Sequence, residues 1–172
     1  YDHTTASSLK SHFESMDWDW DSYFKFGFVR NPWDWMVSHW FYRAKFIGDN
    51  EHKKHELHPL SLDFLHACLH QFGNSIGFSE WCVKFGLGEF KNQSEWLYED
   101  GVCLVDHVGK VEEFQNSVDI ICDELKLDRQ ILSKKNKTNH EDYTSYYTPE
   151  TRNAVAKKFS KDIEYFGYEF GK

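Results

Sequence analysis

The stretch "YFKFGFVRNPWDWMVSHWFY", residues 23–42, decides the fold. Its first seven residues, 23–29, are apolar, aromatic and almost free of charge, which is typical of a strand buried in a sheet. Asn31 and Pro32 end this strand, and a proline suits the first position of a new helix. The pattern therefore predicts a strand that passes directly into a helix running to about Phe46.

A second segment repeats this order. The stretch "GVCLVDHVGKVEEF", residues 101–114, predicts an inner strand over 102–108, a glycine turn and a helix through about Leu125. Two strands that are each followed at once by a helix indicate an α/β layer fold with a central parallel sheet flanked by helices. Because no repeat or low-complexity tract interrupts the chain, we predict a single domain over residues 1–172.

Four further segments have helical periodicity. They are "TTASSLKSHFESM", capped by Thr4 or Thr5 with Leu9, Phe13 and Met16 on one side; "LDFLHACLHQF", after Ser61; "FSEWCVKFGL"; and a last helix after Thr148 and Pro149 with Val155, Phe159, Ile163 and Phe166 on one stripe. The hydrophilic residues 47–59 are predicted to form a surface loop.

The composition limits what the chain can be. Its 172 residues are 40% hydrophobic and 18% aromatic, which is typical of a globular domain with an aromatic core. A formal net charge of -8 argues against a broad nucleic-acid interface, which needs a basic face, but not against a single nucleotide. The cysteines are widely spaced, so we expect reduced and mostly buried thiols. They are Cys68, Cys82, Cys103 and Cys122.

Neither a membrane span nor a signal peptide is visible in the sequence. No apolar stretch approaches the ~20 residues that a span needs. The chain starts with "YDHTTASSLK", which lacks the basic beginning and apolar run of a leader. We therefore expect a cytoplasmic domain without a transmembrane segment, and the sequence leaves the oligomeric state open.

The corner between the first strand and its helix carries Arg30, Asn31 and Ser38. A strand end followed by a helix N-terminus favours anion binding, and a guanidinium matches phosphate oxygens in a bidentate way. Ser38 lies about two helical turns beyond Pro32, where its hydroxyl can add a donor. The alternative is that Arg30 makes a structural salt bridge and that Ser38 bonds to the helix backbone.

The same corner closely resembles the 3′-phosphate-binding segment of sulfotransferases that use 3′-phosphoadenosine 5′-phosphosulfate (PAPS), in particular the branch acting on carbohydrates. That family has an apolar strand, Arg-Asn-Pro and a helix with a serine eight residues after the arginine. The segments "DHTTASSLKSHF", "LVDHVGKVEEFQNSVDIICDELKL" and "NKTNHEDYTSYYTPETRNAVAKKFSKDIEYFGYEF" resemble other parts of the family in the same order. The resemblance implies a three-layer P-loop-like fold.

The resemblance also implies roles for individual residues. Arg30 and Ser38 would bind the 3′-phosphate, and His3, from the family's His-x-Thr-Ala segment, would be the catalytic base. The loop "KKNKT" resembles the family's late cofactor loop, which implies nucleotide contacts from three neighbouring residues. These are Asn136, Lys137 and Thr138. The alternatives are a surface histidine at position 3 and a solvated charge run in the loop.

One family element has no counterpart in the sequence. Sulfotransferases bind the 5′-phosphosulfate with a Pro-Lys-Thr-Gly-Gly-Thr-Ser-like loop, and nothing similar occurs in these 172 residues. We expect this loop upstream of Tyr1, within a strand-loop-helix unit of ~40 residues. The predicted function is sulfuryl transfer from PAPS to a hydroxyl, on a carbohydrate acceptor; the alternative is a non-catalytic nucleotide- or glycan-binding remnant. A nucleotide kinase is disfavoured because no GxxxxGK pattern is present.

Two groups of residues have spacings that would also suit metal binding or stacking on sugar rings. The histidines of "HKKHELH" and "HACLH" could bind a metal, but sulfuryl transfer from PAPS needs none, and we expect no metal cofactor. Trp33, Trp35 and Trp40 could stack on sugar rings, although core packing is the use that their large buried area favours.

Overall fold

A computed structural model of the protein describes residues 4–49, 77–132 and 140–172, without the side chains of 43–49 and 85. In chain order its helices and strands are α1 (Ala6–Ser15), β1 (Phe26–Val29), α2 (Pro32–Asp49), α3 (Phe78–Trp81), α4 (Leu87–Glu89), α5 (Ser94–Leu97), β2 (Tyr98–Glu99), β3 (Val102–Cys103), β4 (His107–Lys110), α6 (Phe114–Glu124), α7 (Pro149–Lys158) and α8 (Ser160–Phe166). A π-helix (Cys82–Gly86) joins α3 to α4, and short 3-10 turns lie at Trp20–Ser22, Val111–Glu113 and Tyr143–Tyr146.

The sheet that positions the site consists, in the described ranges, of the parallel pair β1 and β4. Val29 pairs with Lys110, so the carboxyl ends of the two strands lie side by side. β1 passes at once into α2, and β4 passes through a 3-10 turn into α6. This arrangement confirms the predicted α/β fold with a parallel sheet flanked by helices, although the sheet is small.

The prediction for the second strand was wrong in two respects. Val102 is 62% exposed, and it pairs with Glu99 in an antiparallel hairpin rather than in the parallel sheet. The hairpin turn is Asp100–Gly101, whose φ angles of 49° and 81° are those that a tight two-residue turn requires. The inner strand therefore begins only at His107.

Gly109, predicted as a turn, instead lies inside β4. A Cβ at this position would come within 2.7 Å of the Phe28 ring and 2.8 Å of the Ser117 Cβ. The glycine lets β4 approach both β1 and α6 closely, which explains why a residue without a side chain lies inside this strand.

The core lies between α2, the α3–α4 segment and the two last helices. Its fully buried side chains include Met36, Val37, Trp81, Val155 and Phe159. Among the tryptophans of α2, Trp33 is buried in this core, whereas Trp35 and Trp40 pack against it. Core packing, rather than an exposed sugar platform, is therefore the use of these three indoles.

The predicted helix starts at both ends of the described chain are confirmed. Thr5 caps α1 by accepting a hydrogen bond from the Ser8 backbone N–H, at 3.1 Å. Thr148 caps α7, where its hydroxyl and that of Thr151 form a reciprocal capping box. The last helix is broken at Phe159 into α7 and α8, yet Val155, Phe159 and Phe166 are buried as the stripe predicted.

The cysteines among the described residues are free thiols, as their spacing predicts. Cys82 and Cys122 are buried free thiols, and Cys103 is a half-buried one. Burial raises the pKa of the Cys82 thiol to about 12.

Among the described residues, no helix is long and apolar enough to cross a membrane. Cys68, most of the 47–59 stretch, the helix after Ser61 and both histidine groups lie outside the described residues.

Candidate functional site

Arg30 follows β1 directly, and its guanidinium is held by two side chains of α2. Nη1 donates a hydrogen bond to Ser38 Oγ at 2.8 Å, and Nε donates to Asp34 Oδ2 at 2.6 Å. The side chains of Arg30 and Asp34 are 26% and 20% exposed, so the group opens to solvent on one side. The structure thus brings Arg30 and Ser38 together, and it also contains the salt bridge that the sequence left open.

The guanidinium keeps donors for a ligand. It has five N–H groups in a fixed fork, and the bonds to Asp34 and Ser38 occupy Nε–H and one Nη1–H. Within the described residues no further hydrogen bond of this guanidinium is seen. Its Nη2 edge, together with the Ser38 hydroxyl, can therefore meet the oxygens of an anion.

The start of α2 differs from the simple picture of a bare helix N-terminus. Asn31 is 1% exposed, and its Oδ1 accepts a hydrogen bond from the Trp33 N–H at 3.1 Å. Pro32 has no N–H to offer, and Asp34 places a carboxylate in the first turn. An anion at this corner would therefore meet the side chains of Arg30 and Ser38 more than backbone donors.

The backbone of Arg30 is bound by a residue distant in sequence. Gln93 Oε1 accepts from the Arg30 N–H at 2.8 Å, and Gln93 Nε2 donates to the Arg30 carbonyl at 2.7 Å. Asp162, which is fully buried, accepts in turn from the backbone N–H groups of Gln93 and Ser94, at 2.7 and 2.8 Å. A loop and α8 thereby fix the point where β1 ends.

Glu112, in the turn after β4, binds the next peptide. Its Oε1 accepts from the Asn31 N–H at 2.6 Å, and its Oε2 accepts from the Tyr168 hydroxyl at 3.3 Å. Burial, followed by the nearby Glu112 carboxylate, raises the pKa of Tyr168, which keeps this hydroxyl a donor. Lys110 Nζ lies 4.8 Å from the centre of the Tyr168 ring, so a second cation stands at the carboxyl end of the sheet.

The 168–172 segment packs over the same corner. Asn31 Nδ2 donates to the Glu169 carbonyl at 3.2 Å, and the Tyr143 hydroxyl accepts from the Gly171 N–H at 2.6 Å. Burial is the main cause of the raised pKa of Tyr143. The Arg-Asn-Pro corner is therefore enclosed by protein on its Asn31 side, and Arg30 faces the more open side.

Four of the predicted site residues are not placed by the structure. His3, Asn136, Lys137 and Thr138 lie outside the described residues, and their roles remain predictions. The sequence interpretation gave no site role to Asp34, Gln93, Glu112 or Asp162. Asp34 had a local signal, since a carboxylate four residues after an arginine can pair with it, and Glu112 lies in the segment "LVDHVGKVEEFQNSVDIICDELKL" that resembles the family. In the described ranges, no group of three or more His, Cys, Asp or Glu side chains could hold a metal ion.

Fold and corner together define a class: an α/β domain that presents an arginine and a helical serine at the carboxyl edge of a parallel sheet. A sequence model described as the sulfotransferase family matches residues 2–169, almost the whole chain. The chain belongs to the sulfotransferase family, which confirms the family resemblance drawn from its motifs; the carbohydrate-acting branch remains a prediction. Comparison with curated proteins and with solved structures gave no significant match.

Proposed function

We propose that this domain is a PAPS-dependent sulfotransferase that moves a sulfuryl group to a hydroxyl of a carbohydrate acceptor. The observation that carries the proposal is the Arg30 guanidinium held 2.8 Å from Ser38 Oγ at the end of β1. Ligands of open α/β sheets bind outside the carboxyl ends of the strands, where these two side chains lie. Membership of the sulfotransferase family supports the same assignment.

In the proposed reaction, the acceptor hydroxyl oxygen attacks the sulfur of PAPS in line with the bond that breaks. A new S–O bond forms, the bond from sulfur to the bridging phosphate oxygen breaks, and 3′-phosphoadenosine 5′-phosphate leaves. His3 takes the hydroxyl proton. A general base typically contributes ~100- to 10,000-fold, so His3→Ala should lose a factor of that order in kcat.

Arg30 and Ser38 act away from the reacting sulfur in this scheme. They bind the 3′-phosphate and so fix the nucleotide, which turns binding energy into alignment of the sulfuryl group. Asn136, Lys137 and Thr138 would contact the same nucleotide from the late loop.

Calorimetry with two nucleotides tests the proposal. 3′-Phosphoadenosine 5′-phosphate has the 3′-phosphate and adenosine 5′-phosphate lacks it, so their affinity ratio isolates the proposed contact. Loss of hydrogen bonds from a charged group, about 1.5–3 kcal/mol, should make Arg30→Ala bind the first nucleotide about 10- to 150-fold more weakly. Adenosine 5′-phosphate should bind the parent and this variant alike.

The matched control is Arg129→Ala. Arg129 also pairs with carboxylates, through Asp123 at 2.6 Å, but it lies after α6 and outside the corner. It should keep the parent's affinity ratio. A parent protein that binds the two nucleotides equally well, or an Arg30→Ala protein with the parent's ratio, would refute the 3′-phosphate assignment.

A further inference from the structure

We infer that Gln93 is a positioning residue for Arg30, anchored by Asp162, and that it sets the direction from which the guanidinium meets the 3′-phosphate. The inference rests on the proposed function, because the role is defined by the contact of Arg30 with that phosphate. Gln93 itself touches the Arg30 backbone and not the ligand.

The Gln93 amide binds Arg30 as a neighbouring strand would. A residue at a strand edge presents its N–H and C=O to the same side, and Gln93 satisfies both groups, at 2.8 and 2.7 Å. β1 has already ended at Val29, so no strand register fixes the next peptide. The side-chain amide supplies this constraint one residue beyond the sheet.

Asp162 fixes the loop backbone from which the Gln93 side chain reaches Arg30. The carboxylate is fully buried, and both of its oxygens accept backbone N–H groups of the loop, at Gln93 and Ser94. Hydrogen bonds to a carboxylate are shorter and stronger than neutral ones, and these two fix the start of α5 against α8. The Gln93 side chain therefore extends from a backbone that Asp162 keeps in place.

With Gln93 in place, Arg30 is restrained at both ends. Its backbone is bound by Gln93, and its guanidinium is bound by Asp34 and Ser38. A prearranged fork loses less conformational freedom when the phosphate arrives. Without Gln93, the Arg30 peptide can turn, and the guanidinium is restrained only by Asp34 and Ser38.

The chain offers a closely matched control. Gln115 also bridges a backbone N–H and a backbone carbonyl with its amide: Oε1 accepts from Leu132 at 3.0 Å, and Nε2 donates to Gln130 at 2.8 Å. Its backbone partners lie after α6 and not at the corner. Gln115→Met and Gln93→Met each remove one accepted and one donated backbone hydrogen bond and keep a side chain of similar length; Gln115→Met also removes the bond from Nε2 to Asp119 Oδ1, at 2.8 Å.

The test measures the affinity ratio of 3′-phosphoadenosine 5′-phosphate to adenosine 5′-phosphate by calorimetry, with circular dichroism to show that each variant is folded. Gln93→Met should reduce the ratio about 5- to 20-fold, as expected for loss of two prearranging hydrogen bonds. Asp162→Asn should reduce it in the same direction by a smaller factor. Gln115→Met should leave the ratio unchanged.

A double-mutant cycle completes the experiment. Gln93→Met should not lower the ratio further once Arg30 is replaced by alanine, because its effect acts through that side chain. If Gln93→Met keeps the parent's ratio, or weakens both nucleotides equally, its role is structural only and the inference is overturned while the proposed function stands. If the parent shows no preference for the 3′-phosphate, the proposed function fails and the inference fails with it.

Discussion

At the scale of single residues, Asp34 has two opposite effects on the binding of a phosphate by Arg30. It holds the Arg30 Nε–H at 2.6 Å and so orients the guanidinium, but its negative charge also repels an incoming phosphate. At a separation of roughly 6 Å and an effective dielectric constant of about 20, two unit charges repel by about 3 kcal/mol. A hydrogen bond from a charged group contributes about 1.5–3 kcal/mol, but Asp34→Asn keeps most of it because the amide oxygen still accepts. Repulsion is the larger of the two effects.

We therefore expect Asp34→Asn to bind 3′-phosphoadenosine 5′-phosphate several-fold more tightly than the parent. The amide oxygen of asparagine still accepts from Nε–H, whereas the charge is gone. Asp34→Ala should bind more weakly than Asp34→Asn because the guanidinium loses its acceptor. Calorimetry at low and high salt measures this, and the gain should shrink as salt screens the repulsion.

Two results would contradict the expected gain in affinity of Asp34→Asn. One is weaker binding by Asp34→Asn than by the parent, which would mean that orientation outweighs repulsion. The other is a gain that persists at high salt.

The distance along the chain between interacting residues decides which site residues the sequence could reveal. Arg30 and Ser38 were predictable because eight residues of strand end and helix bring them to the same side. Gln93 and Asp162 were not, because the contact of Gln93 with Arg30 spans 63 residues and that of Asp162 with Gln93 spans 69, and both follow from tertiary packing alone.

At the scale of elements, the strand-helix units β1–α2 and β4–α6 were predictable, and the start of β4 was not. Residues 102–108 have the apolar composition of a strand, but Asp100–Gly101 is a strong hairpin signal that assigns Val102 to a different pairing. Gly109 was read as a turn because an isolated glycine often marks one. A glycine stands at position 109 because Phe28 and Ser117 approach it closely, and only the packed structure shows this contact.

Gly109→Ala should destabilise the protein. The added methyl group would come within 2.7 Å of a Phe28 ring carbon and 2.8 Å of the Ser117 Cβ, so strand and helix must move apart. Overpacking of this kind costs about 1–3 kcal/mol. Urea unfolding of parent and variant measures the loss of free energy.

Gly88→Ala is the control for this substitution. Gly88 lies in α4, and a Cβ there meets no atom within 4 Å. Replacing a helical glycine with alanine should leave the stability unchanged or raise it by about 0.5–1 kcal/mol. If the two variants shift the unfolding midpoint equally, close packing is not the reason for a glycine at position 109.

At the scale of the whole molecule, the candidate site is assembled from segments that are far apart in the chain. The corner at residues 30–38 is bound by the 93–112 region and covered by the last residues of the described chain. Phe170 joins these parts: its ring centre lies 5.6 Å from that of Trp33, 5.6 Å from Tyr143 and 5.4 Å from Tyr147. The Arg152 guanidinium carbon lies 4.7 Å from the same ring centre.

Phe170→Ala should consequently lower both stability and nucleotide affinity. Truncation of a half-buried phenylalanine with these neighbours should cost about 2–3 kcal/mol of unfolding free energy, less than for a fully buried ring. Because Trp33 and Asn31 then lose support, affinity for 3′-phosphoadenosine 5′-phosphate should fall several-fold at a temperature where the variant is folded. Chemical unfolding and calorimetry measure the two effects.

Tyr23→Ala provides the comparison. Tyr23 is 52% exposed and packs edge-to-face on Phe13, at 5.1 Å between ring centres and at the opposite end of β1 from the corner. Its loss should cost about 0.5–1.5 kcal/mol and leave the affinity unchanged. If Phe170→Ala proves no more harmful than Tyr23→Ala, or loses stability with full affinity, then the 168–172 segment covers the corner without supporting the geometry of Arg30.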